Sequence, residues 1–418
     1  EMKILFINSV DVGGGAAAAT RRLFVKATEQ GIDGIFVVGR KQGTDPRVVP
    51  IHSGSLPDRI ANKLTTWAEE RSGLQYFFRP DIRWFERRGL LDGAALAHVH
   101  NPHGEYLHHD FVFQLSRRIP VIWSLHDEWA YTGHCAYTLD CERWRTGCGN
   151  CPYLRTYPGI HRDTTGKLWL RKRRNAENTE GRLRLVLPCK WLESRVKASL
   201  LSRVPVSVIP YGIDTTIFRP VDGNQARKRL GLPEDRRIVL FAAHGWRTNP
   251  FKGFPHLVEA LKRLQRDSLP PFLVAVGDDG GIDFAGMGID GISRGAVRSE
   301  SAMAEYYGAA DVFILPSLAD NSPFVMLESM ACGTPVAAFA VGGIPEAVRE
   351  GKTGALAPPR ESGALADAVR RIIDRPPQER ERMRRACTEA ISGTEHDFES
   401  HTAAVFRLYR EVAGAGNP

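Results

Sequence analysis

Two carboxylates, Asp320 and Glu328, flank the segment Asn321, Ser322, Pro323, Phe324 where an apolar run gives way to a helix start. A carboxylate accepts paired hydrogen bonds from vicinal hydroxyls, and the unsatisfied N–H groups of a helix's first turn attract anions. A ligand carrying both hydroxyls and phosphate suits this arrangement. Upstream, His244-Gly-Trp-Arg247-Thr-Asn-Pro-Phe-Lys252 offers two cations in one loop. Arg247 can grip a phosphate with two parallel bonds and Lys252 acts as a point charge, so together they would stabilise a departing diphosphate. Gly277 and the stretch Ser293, Arg294, Gly295, Ala296, Val297 end two further apolar runs, where backbone groups would read a nucleobase edge. Gly14 and Gly15, in Asp11-Val-Gly-Gly-Gly, would let the backbone approach a phosphate closely.

A second set of polar residues lies in the first half. His98, His100, Asn101 and His103 end one apolar run, and His126, Asp127 and Glu128 end the next. The three histidines invite a metal reading, but Pro102 separates His103 from the other two, and hydrogen bonding is the favoured role. Four of the seven cysteines, Cys135, Cys141, Cys148 and Cys151, crowd one short stretch beside Thr132-Gly-His134. The spacing C-x5-C-x6-C-x2-C suits a structural tetrahedral zinc; disulfides, or reduced thiols packed by Trp144 and Tyr137, are the alternatives. Cys189, Cys332 and Cys387 stand apart and read as packing residues.

The elements that position these groups alternate in βαβ fashion. Ile4–Ile7, Ile35–Val38, Ala97–His100, Val121–Leu125 and Arg184–Leu187 read as strands of one parallel sheet, with a helix near Ala16 to Gln30. A second series is expected to open at Val206–Pro210 and to continue through Arg237–Ala242, Phe272–Val276, Gly291–Ser293, Val312–Leu315 and Val336–Phe339. The stretch from about 55 to 90 has helical character near Arg59 to Arg71 and no clear place on a sheet. At 418 residues the chain exceeds one hydrophobic core. The expected division is 1–200 and 201–395, with a helix over about 396–418 returning to the first domain.

A net charge of +8 is compatible with a phosphorylated substrate, nucleic acid or anionic lipid. No zinc-finger, helix-turn-helix or RNP pattern supports nucleic acid. The dense basic patch Lys167-Leu-Trp-Leu-Arg-Lys-Arg-Arg174 reads first as a solvated helix face, with Trp169 laid against a membrane surface as the alternative. No apolar run of about 18 residues offers a membrane span, and no signal peptide is evident. These features lead to the expectation of a cytoplasmic protein with peripheral contact at the inner face of the membrane.

With these residues in place, the chain resembles the family 4 retaining glycosyltransferases (group 1 glycosyltransferases), in the branch that carries a Thr-Gly-His-Cys, cysteine-rich segment. The family's Glu-x7-Glu element matches Asp320 to Glu328 with aspartate in first place, and Ala331-Cys-Gly-Thr-Pro-Val336 and Gly342-Gly343 match the family's downstream sequence. The resemblance implies an α/β GT-B fold, two Rossmann-like doubly wound domains facing a cleft. It implies a UDP- or GDP-sugar donor, with Glu328 on the ribose, Asp320 and the Asn321, Ser322, Pro323 and Phe324 backbone on the sugar, and Arg247 and Lys252 on the diphosphate. His126 would face the donor sugar, and Asp127 or Glu128, with His100, Asn101 and His103, would serve the acceptor. Catalysis would need no cofactor, because a departing phosphate oxygen takes the acceptor proton. The shorter Asp320 puts the usual sugar contact in question.

The function expected is transfer of a sugar, with retention, to a glycan, lipid-linked or small-molecule hydroxyl in cell-surface polysaccharide or glycoconjugate assembly. The rivals are a nucleotide-sugar epimerase, a phosphorylase, or an inactive nucleotide- or glycan-binding module.

Overall fold

The computed structural model describes residues 2–179, 181–246, 248–277 and 282–415. The chain divides into two compact units, one running to Ile209 and taking in the segment from Thr402, the other Pro210–His401.

Among the described residues, the first unit is built on a seven-stranded sheet. Its strands are β1 (Lys3–Val10), β2 (Asp33–Arg40), β3 (Val48–Pro50), β4 (Ala94–Val99), β5 (Val121–Ser124), β6 (Leu183–Leu187) and β7 (Val206–Val208), in the order 3-2-1-4-5-6-7. Every pairing is parallel. β1 shows why: Leu5 and Ile7 pack into one core cluster while Ile4 and Phe6 pack into another, so both sheet faces are buried. β7 was expected to open the second series. It instead closes the first sheet, pairing Leu185 with Val206 and Leu187 with Val208.

The second unit carries β8 (Ile238–Ala242), β9 (Phe272–Val276), β10 (Gly291–Ser293), β11 (Val312–Leu315), β12 (Val336–Phe339) and β13 (Gly354–Ala357), again all parallel, in the order 10-9-8-11-12-13. Leu240 and Ala242 face one cluster and Val239 and Phe241 the other. In both sheets the strand order reverses once, between β1 and β4 and between β8 and β11. Ligands of open α/β sheets bind beyond the carboxyl ends at such a reversal.

The helix Phe398–Ala415 is divided between the units, and from Thr402 onward it belongs to the first. Phe406 and Tyr409 join the cluster of Ile4 and Phe6, and the Tyr409 hydroxyl meets His98 Nδ1 at 2.6 Å. The helix Thr165–Ala176 corrects the expected membrane patch. Leu168, Trp169 and Lys172 are buried, and Trp169 Nε1 donates to the Trp144 carbonyl, so its apolar face belongs to the core.

Candidate functional site

In the second unit the reversal point brings together Lys252, Asp320 and the start of the helix that carries Glu328. After β8 the chain makes a short turn, Pro250–Lys252, whose backbone is pinned by Asn249 Oδ1 accepting from Phe251 N–H. Gly253 comes next with φ 66°, and a Cβ there would lie 1.9 Å from the Pro316 carbonyl oxygen just past β11. Only glycine lets the two loops close this far. The Leu318 N–H then donates to the Phe251 carbonyl, and Lys252 Nζ reaches Asp320 Oδ2 at 3.0 Å. Lysine and aspartate from opposite sides of the reversal thus form one ion pair, with both side chains partly open to solvent. Arg247 lies outside the described residues, as do Asp278 to Gly281.

The helix Phe324–Ala331 begins directly after this pair, with Pro323 at its N-cap and no side chain capping its first turn. Its first-turn amides are left as donors that an anion can accept. Asn321 and Ser322 are buried in the approach, and the Gly343 N–H donates to the Asn321 carbonyl. Gly342, at φ 57°, is held so close that a Cβ would fall 1.7 Å from the Asp320 carbonyl oxygen. Glu328 sits one turn further along. Its Oε2 accepts from the Tyr307 hydroxyl at 3.0 Å; burial, then the nearby Glu328 carboxylate, push the Tyr307 pKa well up, so it stays a donor. Tyr307 was not foreseen; its sequence distance from Glu328 carried no signal. Phe324 stacks on Tyr211, rings 4.4 Å apart.

Gly277 donates its N–H to the Gly295 carbonyl and so ties the ends of β9 and β10 together. Arg294 bonds the Leu230 carbonyl at 2.8 Å, and Val297 packs against the core.

In the first unit the expected histidines take separate partners. His98 is buried between Tyr409 and Ser124, His100 Nδ1 meets His126 Nε2 at 2.9 Å, and His103 Nε2 meets Asp127 Oδ2 at 2.6 Å. Each of the three is hydrogen-bonded. Asp127 is partly buried, which disfavours its charge. The His103 ring and the Trp129 N–H at 2.9 Å outweigh that, and its pKa lies below the ordinary carboxylate value. Asn101 is held by its N–H to Asn8 Oδ1, across the β1/β4 reversal. Gly14 and Gly15 begin the helix after β1, with Gly14 at φ 76°.

Glu128 departs from expectation. It is buried, and its oxygens are taken by the Tyr131 hydroxyl, the Thr138 N–H and Arg195 Nε. This carboxylate fastens a loop and does not face an acceptor. A cavity of about 250 Å³ opens nearby, lined in part by Gln75, Glu105 and Tyr157, residues that the sequence did not single out.

Cys135, Cys141, Cys148 and Cys151 line one small cavity with His134. The Gly133 and Tyr153 N–H groups donate to the sulfurs of Cys148 and Cys151 at 3.2 and 3.4 Å. Burial pushes the Cys148 thiol up to about 11. Among the described residues no three His, Cys, Asp or Glu side chains stand within reach of one ion. Cys189, Cys332 and Cys387 are buried in the cores, as packing residues should be.

Two parallel doubly wound units, with an acid–lysine pair and an uncapped helix at one reversal point, are the architecture expected of a GT-B glycosyltransferase. Residues 222–390 match the family model described as glycosyl transferases group 1. The D-inositol 3-phosphate glycosyltransferase of Mycobacterium bovis is 33% identical over 394 residues, 89% of this chain and 74% of that protein. The enzyme of the same name from Acidothermus cellulolyticus is 32% identical over 245 residues, 53% of this chain, and the match spans only 52% of that relative. The chain belongs to the group 1 glycosyltransferase family. Its fold is shared with sucrose-phosphate synthase from Thermosynechococcus elongatus (TM-score 0.74, 20% identity, 99% of this chain and 100% of that one) and with Anabaena HepE in complex with UDP (TM-score 0.63, 16% identity, 98% and 100%). These likenesses favour transfer over the epimerase, phosphorylase and binding-module readings.

Proposed function

We propose that this enzyme moves a sugar from a UDP-sugar to a hydroxyl acceptor with retention at the anomeric carbon, in the assembly of surface polysaccharide or glycoconjugate. The observation that carries the reading is the Lys252–Asp320 pair where β8 and β11 diverge. In the free enzyme each charge neutralises the other. An arriving diphosphate takes Lys252 and the open amides at Phe324, which releases Asp320 to accept from hydroxyls of the sugar. Arg247 adds the second cation, and Glu328, steadied by Tyr307, accepts from the ribose hydroxyls. The bond from the anomeric carbon to the phosphate oxygen breaks while the acceptor oxygen bonds the same face. The acceptor proton passes to the departing phosphate, so no protein base and no cofactor are required. In the first unit, His126, held by His100, and Asp127, held by His103, are the proposed ligand-contacting groups. Structures of HepE with UDP and UDP-glucose support uridine as the base, and the relatives' names make a phosphorylated polyol the first acceptor to try.

The test is turnover of a UDP- and GDP-sugar panel by the parent enzyme and Glu328→Ala. Loss of about 10-fold to 100-fold in kcat/KM with a UDP-sugar is expected, the range of a hydrogen bond to a charged group. Equal turnover by both would remove the assignment.

For the cysteine segment we propose a structural zinc. Support comes from the four thiols sharing a cavity and from the N–H donors that would stabilise thiolates; the loop must tighten to bring the sulfurs into reach of the ion. Protein purified without added zinc should hold about one equivalent, and less than about a tenth excludes the site.

A further inference from the structure

The cavity of about 250 Å³ in the first unit is several times the roughly 30 Å³ that one water occupies, enough for a single small ring. Tyr76 and Tyr157 give it aromatic walls, and its charged side chains are three carboxylates, Glu69, Glu70 and Glu105; no lysine or arginine is among the described lining residues. Glu69, the buried residue of the helix Leu56–Ser72, is taken up within the fold: it accepts from Arg79 Nε at 2.8 Å and from the Phe78 N–H at 3.0 Å. The Arg79 guanidinium is shared among Glu69, Thr66 and Asn62, so this neighbouring cation is already satisfied by the protein. The wall is also set in advance. Gln75 donates to the Pro158 carbonyl and accepts from Trp129 Nε1, both at 2.9 Å.

Glu105 and Glu70 differ from Glu69. Glu105 accepts from the Thr66 hydroxyl at 3.1 Å and Glu70 lies 3.8 Å from His161, and neither pairs with a lysine or arginine among the described residues. An ionised carboxylate has only acceptor oxygens, so it pairs with hydroxyl or ammonium donors and repels a phosphate. The Tyr157 ring is 57% exposed, while burial, then Asp127 and Glu105, push its pKa up to about 12, so its hydroxyl stays a donor. Beside it, with rings 6.0 Å apart, lies buried His103. Its Nε2–H donates to Asp127, and its Nδ1 has no partner among the described residues, which leaves an acceptor for a hydroxyl. A sugar ring answers this set: an apolar face to lie on an aromatic ring, and hydroxyls around it to donate to carboxylate and imidazole.

We infer that this cavity takes an unphosphorylated sugar as acceptor, with Tyr157 as its stacking platform and Glu105 as the group that turns anions away. The inference rests on sugar transfer as the reaction and narrows its acceptor. It departs from the phosphorylated polyol in the relatives' names, because a phosphate here meets carboxylates and no lining cation. Through Tyr157 the cavity adjoins the His103–Asp127 pair, where the accepting hydroxyl is presented.

The test is saturation-transfer NMR on the full chain with a panel of neutral hexoses, hexosamines, hexose phosphates and inositol 3-phosphate. At least one hexose or hexosamine should bind, with its phosphorylated counterpart weaker by about tenfold or more. Tyr157→Ala should weaken the best sugar by about tenfold. Glu105→Gln, which keeps the shape and removes the charge, should bring the phosphorylated counterpart to within about threefold of the neutral sugar. An unchanged melting temperature checks that the variants fold, and the ranking by the parent needs no variant. Inositol 3-phosphate or a hexose phosphate that binds the parent as tightly as the best neutral sugar overturns the inference. So does a best sugar that Tyr157→Ala leaves unaffected, or no binding by any unphosphorylated sugar. Binding is read without donor or turnover, so a failed UDP-sugar assay would remove sugar transfer while this ranking stands as a separate result.

Discussion

Lys252 and Asp320 are 68 positions apart in sequence, and they meet because two loops are drawn together at one sheet reversal. Replacing Lys252 with alanine removes the charge that balances a leaving diphosphate and should lower kcat by about 100-fold to 1,000-fold, with Lys252→Arg retaining part of it. Steady-state kinetics with a UDP-sugar measure this; a change in KM alone would mean that Lys252 serves binding and not departure. Asp127 permits a test against pH. A carboxyl whose folded pKa is lowered adds stability above its unfolded pKa and loses it as pH falls through the folded value. Asp127→Asn should therefore cost about 1–3 kcal/mol at neutral pH, and the gap to the parent should close below about pH 4. Urea unfolding over a pH series reads the difference, and a gap that persists in acid would show that charge is not the cause. Asp320 and Glu328 were legible in the sequence because their types and spacing bracket a helix start. Tyr307 was not, since a hydroxyl that reaches across from a neighbouring helix leaves no local pattern.

The elements around the site are placed by glycines at positive φ. Gly342→Ala would put a methyl group against the Asp320 carbonyl in a backbone region that alanine resists. A loss of at least about 1–3 kcal/mol is expected, with a rise in donor KM as Asp320 is pushed aside. Thermal melting and kinetics on the same preparation check both; an unchanged KM would mean the Asp320 carbonyl does not set the sugar contact. Most strands were legible because a parallel strand buried on both faces is a continuous apolar run, as in Ile4–Ile7 and Val312–Leu315. β7 was read into the wrong series, since a short run cannot announce which sheet it joins; that depends on the pairing of Val206 with Leu185. The helix Leu56–Ser72 resisted placement for a physical reason: its polar side faces the protein, the reverse of the pattern by which sheets and helices are matched.

At the scale of the whole molecule, each unit has its own sheet with a core cluster on either face. Nucleotide bound beyond β8 and β11 stabilises the unit that holds it. At about 100 times its Kd, UDP should add about 2.7 kcal/mol to Pro210–His401. Calorimetry should show the larger upward shift in the transition of that unit; a shift confined to the other would place the nucleotide elsewhere. The basic surface as a whole attracts anions, and the proposed seat of the nucleotide is the joint between β11 and the helix Phe324–Ala331. The most direct measurement is a crystal structure of the enzyme with UDP. The expected result is a pyrophosphate against Lys252 and the amides of Phe324 and Val325, with ribose hydroxyls on Glu328. Uridine density lodged away from the carboxyl ends of β8 and β11, or a diphosphate that leaves the Lys252–Asp320 pair intact, would contradict the account.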